Sequence, residues 1–244
     1  MRALTSEFGF TEWLLRIGNG VEPANTLKEV SLPQQIIAQH DLLLEIYGDV
    51  DLNNENEQIN RVILCSTNQE SLSMNEDILS GINGNMKTYK SIDSAIVEEG
   101  QSDQSYPIEW LNQQTLPGMP PHILNLKVGS IVMLLRNLNI QQGLCNGTRL
   151  IITDLSKKTY IQCRAITGSQ KGKQVFIPRI DIVPSDSPFP FDFHRLQYPI
   201  RLAFSMTINK AQGQSFTHVG IDLSKPVFAH GQLYVALSRS RSMA

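Results

Sequence analysis

The segment that most constrains the fold is an apolar run, Val62–Cys65, followed at once by a polar turn and a helical pattern. A short continuous apolar run of this kind predicts a strand that is buried on both faces. Thr67 and Glu70 have the spacing of a capping box, so we expect a helix to begin beside them. Strand, turn and capped helix predict one half of a parallel α/β unit. The free N–H groups of a helix start can bind an anion, so Thr67 and Asn68 are either anion contacts or part of a plain structural turn.

A second set of strands and turns follows near the end of the chain. We predict a strand at Leu202–Thr207, a turn with a helix start near Lys210, a strand at Val219–Asp222 and a helix from Gly231 onward. The first of these strands and the Val62–Cys65 strand are expected to lie in one parallel sheet. Loops at the carboxyl ends of parallel strands are where α/β sheets bind ligands.

Between these parts, residues Leu126 to Val183 contain four short runs rich in β-branched residues. Asn146-Gly147 lies between two of the runs and is a strong hairpin signal. In the segment Tyr160–Ile166 apolar and polar residues alternate, which predicts a strand with one buried and one wet face. Four such strands predict a small β-barrel. We therefore expect a barrel at residues 126–190, inserted between two segments of one α/β domain at 1–125 and 191–244.

The N-terminal part of the chain predicts two helices. Apolar residues from Phe10 to Ile17 recur at three- and four-residue spacing, which indicates a helix. Gly18-Asn19-Gly20 is expected to end it, because these residues tolerate positive φ. A second helix is predicted at Ile36–Tyr47.

Charge is unevenly distributed along the 244 residues, although the net charge is only −2. The segment from Glu29 to Glu57 has seven acidic residues and no Lys or Arg, whereas Leu155 to Ile180 has six basic residues and no acid. The six are Lys157, Lys158, Arg164, Lys171, Lys173 and Arg179. This basic segment is either a surface for a phosphate backbone or a solvated barrel rim.

Several classes of site and location have no support in the sequence. The longest apolar runs are far shorter than the roughly 20 residues that span a bilayer, so no membrane association is expected. The N-terminus has no signal-peptide pattern. Cys65, Cys145 and Cys163 lack metal-ligand spacing, and the five histidines are scattered, so no metal site is predicted.

The stretch "MTINKAQGQSF" places phosphate-binding groups at the end of the predicted Leu202–Thr207 strand. Thr207, Asn209 and Lys210 supply a hydroxyl, an amide and an ammonium group, all of which bind phosphate oxygens. Gln212 and Gly213 add a polar side chain and a backbone that a ligand can approach closely. Arg239, in "YVALSRSRS", could reach a phosphate that is held by another domain.

These two stretches closely resemble helicase motifs V and VI of the Pif-one family of superfamily 1B DNA helicases, especially its branch in Helitron-type elements. The resemblance continues through most of the chain, in the order "MRA", "LLRIGNGVEP", "ILCSTN", "TYKSIDS", "LPGMPPHILNLKVGSIVMLLRNL", "GLCNGTRL" and "RLQYPIRLAFSMTINKAQG".

The resemblance implies a second RecA-like domain with an inserted Src-homology-3-like barrel. It also implies a helicase that moves 5′ to 3′ on single-stranded DNA and uses ATP and Mg²⁺. It implies that Thr207, Asn209 and Lys210 contact the DNA backbone, while Gln212 and Gly213 link that contact to the nucleotide. If Thr67 and Asn68 are anion contacts, we expect them to bind DNA as well. Arg239 and Arg2 would be the arginines that reach the γ-phosphate. Many family members have His where this chain has Asn209, so that contact would be a neutral hydrogen bond.

The family's P-loop lysine and Mg²⁺-binding acidic motif belong to a first RecA-like domain that these residues do not contain, and no G-x-x-x-x-G-K-[ST] occurs. The expected product is therefore the C-terminal half of a helicase, from a truncated gene model or a transposon-derived copy, inactive alone as an ATPase. Its expected partners are single-stranded DNA and a P-loop domain in cis or in trans. The alternatives are a stand-alone nucleic-acid-binding module and an inactive remnant. The resemblance implies a nuclear location, with the mitochondrion as the alternative, and a role in DNA repair, recombination, telomere maintenance or transposition.

Overall fold

The structure is a computed structural model that describes residues 8–26, 29–52, 54–96, 106–227 and 231–243. The chain divides into two compact units. Unit 1 consists of Met1–Gly81 and Phe204–Ala244, and unit 2 of Ile82–Ala203. The intervening unit is thus larger than the barrel expected at residues 126–190. The reason is that strands from residues 87–96 pair with residues 123–126 and 192–197, inside unit 2.

Six helices are described, in chain order: α1 Phe8–Gly18, α2 Leu42–Tyr47, α3 Glu55–Gln58, α4 Asn68–Gly81, α5 Ile108–Gln113 and α6 Gln232–Leu237. The described strands are β1 Arg61–Cys65, β2 Lys87–Lys90, β3 Ile92–Ile96, β4 Ile123–Leu126, β5 Ile131–Leu134, β6 Arg149–Asp154, β7 Tyr160–Ala165, β8 Gln174–Pro178, β9 Ile180–Ile182, β10 Asp192–Gln197, β11 Ile200–Leu202, β12 Ser205–Thr207 and β13 His218–Asp222. Two 3₁₀ turns occur at Gln34–Ile36 and Ile208–Ala211.

Unit 1 contains a parallel sheet in the order β12-β1-β13. Its central strand is almost completely buried, as a run of apolar residues without alternation predicts for a strand covered on both faces. The predicted parallel pairing of β1 with β12 is confirmed, because Ile63 lies opposite Ser205. On its other side β1 pairs with β13, where Ile63 lies opposite Gly220.

The predicted strand Leu202–Thr207 is wrong in one respect, because the structure divides it into two strands. Leu202, at the end of β11, pairs with Val132 of unit 2, whereas Ser205, at the start of β12, pairs with Ile63 of unit 1. The chain therefore passes from one unit to the other within the apolar segment Leu202-Ala203-Phe204. Hydrophobicity does not mark the crossing, since both strands are buried.

The predicted α1 and its end are confirmed, but the predicted helix Ile36–Tyr47 is too long. Only Ile36 of its first part belongs to a 3₁₀ turn, residues 37–41 are not helical, and α2 begins only after Asp41. The Asp41 carboxylate accepts hydrogen bonds from the N–H groups of Leu43 (2.9 Å) and Leu44 (3.4 Å). This side chain satisfies N–H groups that have no partner at a helix start, so the helix starts there.

A buried amide holds β12 against α4. Asn75, 1% exposed, accepts hydrogen bonds at Oδ1 from the N–H groups of Phe204 and Ser205, each at 3.0 Å. Its Nδ2 donates to the Ser205 carbonyl at 2.8 Å. One side chain thus satisfies three backbone groups at the point where the chain enters the sheet.

Unit 2 contains a five-stranded antiparallel sheet in the order β11-β5-β6-β7-β8. The predicted alternation is confirmed in β7, where Ile161, Cys163 and Ala165 are buried. Asn146-Gly147 lies in the connection between the paired strands β5 and β6, and Gly147 has φ +88°. Closure of this sheet into a barrel stays a prediction. A second sheet, β3-β10-β9, contains a bidentate ion pair in which Arg195 Nη2 lies 2.7 Å from Asp93 Oδ2.

Candidate functional site

Parallel pairing in unit 1 brings the candidate phosphate contacts to one edge of a sheet. Thr207 at the end of β12 is level with Cys65 at the end of β1, and Cys65 is level with Asp222 at the end of β13. The loops that begin with Ser66 and Ile208 therefore leave the same, carboxyl edge of neighbouring strands. This is the edge at which open α/β sheets bind ligands.

The segment after β12 differs from the helix start that we predicted near Lys210. Residues Ile208–Ala211 form a single 3₁₀ turn, which ends because the next residue, Gln212, is extended with ψ 131°. Ile208 and Ala211 are buried and hold the turn to the unit, while Asn209 is exposed and Lys210 partly exposed. The turn thus directs polar groups outward from a fixed apolar base.

Gly213 lets the chain reverse direction after this turn. Its φ is +82°, a region in which residues with a Cβ are strained. Gln212 and Gly213 are both exposed, and no atom lies within 4 Å of the place where a Cβ on Gly213 would be. The glycine is therefore required by backbone conformation and leaves open space beside the loop.

Arg239 contacts this same loop. Its Nη1 donates to the carbonyl oxygens of Gln214 at 3.0 Å and Ala211 at 3.4 Å, on either side of Gln212-Gly213. Its Nε donates to the Val235 carbonyl at 2.9 Å. The main chain is tied in as well, since the Phe216 N–H donates to the Arg239 carbonyl at 3.0 Å. The guanidinium thus connects α6 to the loop after β12.

Two glutamines at the site were missed by the sequence analysis. Gln232, 4% exposed, donates from Nε2 to Asn209 Oδ1 at 3.4 Å. Gln214 donates from Nε2 to the Lys210 carbonyl at 3.3 Å. The first bond orients the side chain of Asn209, a predicted DNA contact, and the second holds the backbone at Lys210. The signal was weak, because an isolated Gln beside a Gly is common on protein surfaces.

At Thr67 the structure supports the capping role. The Glu70 N–H donates to Thr67 Oγ1 at 3.3 Å, and the Thr67 N–H donates to Glu70 Oε2 at 3.2 Å. Lys225 Nζ lies 3.3 Å from the other Glu70 oxygen. Burial alone would raise the pKa of Glu70, but the hydrogen bonds from Thr67 and Lys225 bring the pKa below its ordinary value. Asn68 is exposed at the start of α4, and DNA contact by Thr67 and Asn68 stays a prediction.

The remaining predicted groups are placed as follows. Arg2 lies outside the described residues. In the described ranges, no cluster of His, Cys, Asp and Glu is arranged to hold a metal ion. Cys65 and Cys163 are buried, and burial raises the pKa of these thiols to about 11 and about 12. No helix among the described residues has the length and hydrophobicity that a membrane crossing needs.

Comparison with known proteins adds to this geometry. Residues 109–155 match the family described as "DNA helicase Pif1, 2B domain". The ATP-dependent DNA helicase PIF1 of Danio rerio is 30% identical over 186 residues, which are 74% of this chain and 26% of that protein. The chain belongs to the Pif1 family of helicases, named Pif-one above. The human Pif1 helicase matches at the same identity over 182 residues, again with 74% of this chain and 26% of the relative covered. The chain spans about a quarter of the length of these curated relatives.

Solved structures of Pif1 helicases have the same fold as the chain. The Pif1 helicase of Candida albicans superposes with a TM-score of 0.65 at 26% identity, with 100% of this chain and 53% of that chain covered. A Bacteroides Pif1 bound to single-stranded DNA gives a TM-score of 0.62 at 24% identity, with 100% of this chain and 48% of that chain covered.

Proposed function

We propose that this chain is the C-terminal motor portion of an ATP-dependent DNA helicase that moves 5′ to 3′ on single-stranded DNA. In this proposal, Thr207, Asn209 and Lys210 bind the backbone of the strand, with Thr67 and Asn68 beside them. The ATP and its Mg²⁺ are held mainly by a P-loop domain that lies in another part of the polypeptide or in another chain.

The observation that carries the proposal is the meeting of two kinds of group at one loop. The turn Ile208–Ala211 presents an amide and an ammonium group outward, and both bind phosphate oxygens irrespective of base. Directly behind the turn, Arg239 donates to the carbonyls of Ala211 and Gln214. A movement of the DNA strand bound at Lys210 would therefore be transmitted to Arg239 through a few atoms of the protein backbone.

Arg239 is the group that would act on the nucleotide. A guanidinium aimed at the γ-phosphate from a second domain stabilises charge in the transition state and contributes roughly 10³- to 10⁵-fold to turnover. We propose that Arg239 has this role, with Arg2 as a second arginine, and that Gln212 and Gly213 transmit nucleotide state to the DNA contacts. The relatives support this assignment, since the matching proteins are ATP-dependent helicases.

A second candidate is a stand-alone module that binds single-stranded nucleic acid without ATP chemistry. The observation that favours it is that the Arg239 guanidinium donates hydrogen bonds within its own unit, to Gln214 and Val235. In a helicase, Arg239 would have to exchange some of these bonds for the phosphate.

The test supplies the P-loop domain that the proposal requires. A P-loop domain from a relative is fused upstream of Met1, and DNA-stimulated ATP hydrolysis is measured for the fusion and for the isolated chain. We expect the isolated chain to be inactive and the fusion to be active. Arg239→Ala should then lower kcat far more than nucleotide affinity, because the interaction is stronger in the transition state. Arg239→Lys should restore little, since an ammonium does not reproduce the planar fork.

Arg241→Ala is the matched control, because Arg241 is two residues away and exposed. ATP hydrolysis by the isolated chain, or near-normal turnover of Arg239→Ala in an active fusion, would contradict the assignment. DNA contact is tested separately with Lys210→Ala, which should reduce the salt slope of binding by about one phosphate contact. An unchanged slope would show that Lys210 is a solvated charge. It would then contradict a contact between Lys210 and the DNA backbone under either candidate function.

A further inference from the structure

Unit 2 presents a second surface with the chemistry of a nucleic-acid site. Strands β7 and β8 pair with Tyr160 opposite Pro178, Gln162 opposite Phe176 and Arg164 opposite Gln174. These six side chains point to one side of the sheet, which we name the β7–β8 face. The residues between them, such as Cys163 and Ile177, are buried on the other side. The β7–β8 face is thus the outer face of a sheet whose apolar side is already packed.

An aromatic pair lies on this face, with Phe176 at the middle and Tyr160 at one end. Phe176 is 53% exposed, and its ring lies 5.1 Å from that of Tyr160 at an angle of 80°. Core packing does not account for this ring, because Phe176 alternates with buried residues and projects away from them. Exposed ring faces are the groups on which unpaired bases stack, and such stacking tolerates any base.

Basic residues flank the aromatic pair at both ends of the strands. Lys157 and Lys158 lie in the connection before β7, and Lys171 and Lys173 lie in the connection before β8; all four are exposed. Because β7 and β8 are antiparallel, these two connections are at opposite ends of the face. The charge is therefore spread along the direction of the strands, as binding along a phosphate backbone requires.

The acid nearest in register marks one border of this surface. Asp154 of β6 lies opposite Gln162 and accepts hydrogen bonds from Ser156, at 2.8 Å from N–H and 2.6 Å from Oγ. These bonds lower the pKa of Asp154, so it is charged at neutral pH and repels phosphate on the β6 side. A nucleic-acid strand would therefore lie on the β8 side of this face, where Phe176 is exposed.

We propose that the β7–β8 face is a second binding site for single-stranded DNA, at which bases stack on Phe176 and Tyr160 while the flanking lysines bind phosphates. The six residues of β7 span about 20 Å at roughly 3.3 Å per residue, enough for a few nucleotides. This site differs from the edge at Thr207–Lys210 in the part of the DNA that it contacts: bases as well as phosphates. The inference does not depend on Arg239 or on ATP.

The experiment compares two probes on the purified chain by fluorescence anisotropy. One is a labelled single-stranded oligonucleotide of thymidines, and the other is an abasic deoxyribose-phosphate strand of equal length. We expect the wild-type chain to bind the abasic strand more weakly. Phe176→Ala should weaken binding of the thymidine strand about tenfold, as the loss of one stacked base predicts, and leave binding of the abasic strand unchanged. Phe176→Trp should retain binding, and its added fluorescence should be quenched by the thymidine strand.

Ile123→Ala is the matched control, since Ile123 is 48% exposed on β4 of the same unit. It should bind both probes as the wild type does. Equal binding of both probes by the wild type, equal loss in Phe176→Ala and Ile123→Ala, or equal affinity for a duplex of the same length would overturn the inference. Lys210→Ala separates this result from the proposed function, because loss of a phosphate contact weakens binding of the thymidine and abasic strands alike.

Discussion

Replacing Arg239 with Ala should destabilise unit 1 as well as impair catalysis. The side chain donates to Gln214 at 3.0 Å and Val235 at 2.9 Å, with a weaker bond to Ala211 at 3.4 Å. A net hydrogen bond contributes about 1 kcal/mol, and more when the donor is charged. Allowing for the side-chain entropy regained on unfolding, Arg239→Ala should cost about 2 kcal/mol. An arginine that only reached across a cleft would cost no more than about 0.5 kcal/mol.

The assay can report on unit 1 alone. The chain has two tryptophans, of which Trp13 is buried beside Leu237 in unit 1 and Trp110 belongs to unit 2. In a Trp110→Phe background, urea unfolding followed by Trp13 fluorescence therefore measures the stability of unit 1. At an m-value of about 2 kcal/mol per molar urea, the expected loss lowers the midpoint by about 1 M.

Arg239→Lys and Arg241→Ala complete the experiment. Lysine should recover only part of the loss, because one ammonium cannot donate to three carbonyls placed around a planar guanidinium. Arg241→Ala should leave the midpoint within error, since Arg241 is exposed. An Arg239→Ala midpoint equal to that of the Arg241→Ala control would refute the reasoning and leave Arg239 as a weakly held surface charge.

Two other side chains in unit 1 give further predictions. Asn75→Ala should cost about 3 kcal/mol in the same assay, because the N–H groups of Phe204 and Ser205 stay buried without an acceptor. Gln69 is exposed on the same helix, so the control variant Gln69→Ala should change the urea midpoint little. A similar midpoint for both variants would contradict the role given to Asn75. The pKa of Glu70 lies below its ordinary value in the folded chain. The ionised carboxylate therefore contributes to stability at neutral pH, and this contribution is lost as the pH falls through the pKa of Glu70 in the folded chain. Urea midpoints between about pH 7 and pH 3 should therefore fall less steeply for Glu70→Gln than for the wild type, and parallel curves would show that the capping box does not titrate.

The sequence was informative wherever a structural element depends on its own residues. The strand β1, the capping box at Thr67 and Glu70 and the alternation in β7 all follow from local patterns, and the structure confirms them. The parallel pairing of β1 with β12 was predictable because both apolar runs end in polar turns, which is the pattern of strands that meet at one edge. The strand β13 was predicted as a strand, but its place in this sheet was not.

The predictions were wrong or incomplete where the local structure depends on residues that are distant in the sequence. The division between β11 and β12 depends on which partners, Val132 or Ile63, are available to each half of one apolar run. After Thr207 a 3₁₀ turn replaces the predicted helix, because the chain becomes extended at Gln212 with ψ 131°. The link from Arg239 to Gln214 spans 25 positions, and no local pattern indicates it.

The discontinuity of unit 1 has a consequence for how the chain folds. The central strand β1 has both of its sheet partners far downstream; Cys65 and Ser205, for example, contact each other across 140 positions. Such a sheet can close only after a long loop has been ordered, which slows folding. Unit 2 is one continuous segment and its strands pair mostly with near neighbours, so it can fold first. Once folded, unit 2 is an ordered segment between β1 and β12 rather than a flexible loop, so the two strands pair at a lower entropic cost. The parallel sheet of unit 1 is therefore expected to form after unit 2.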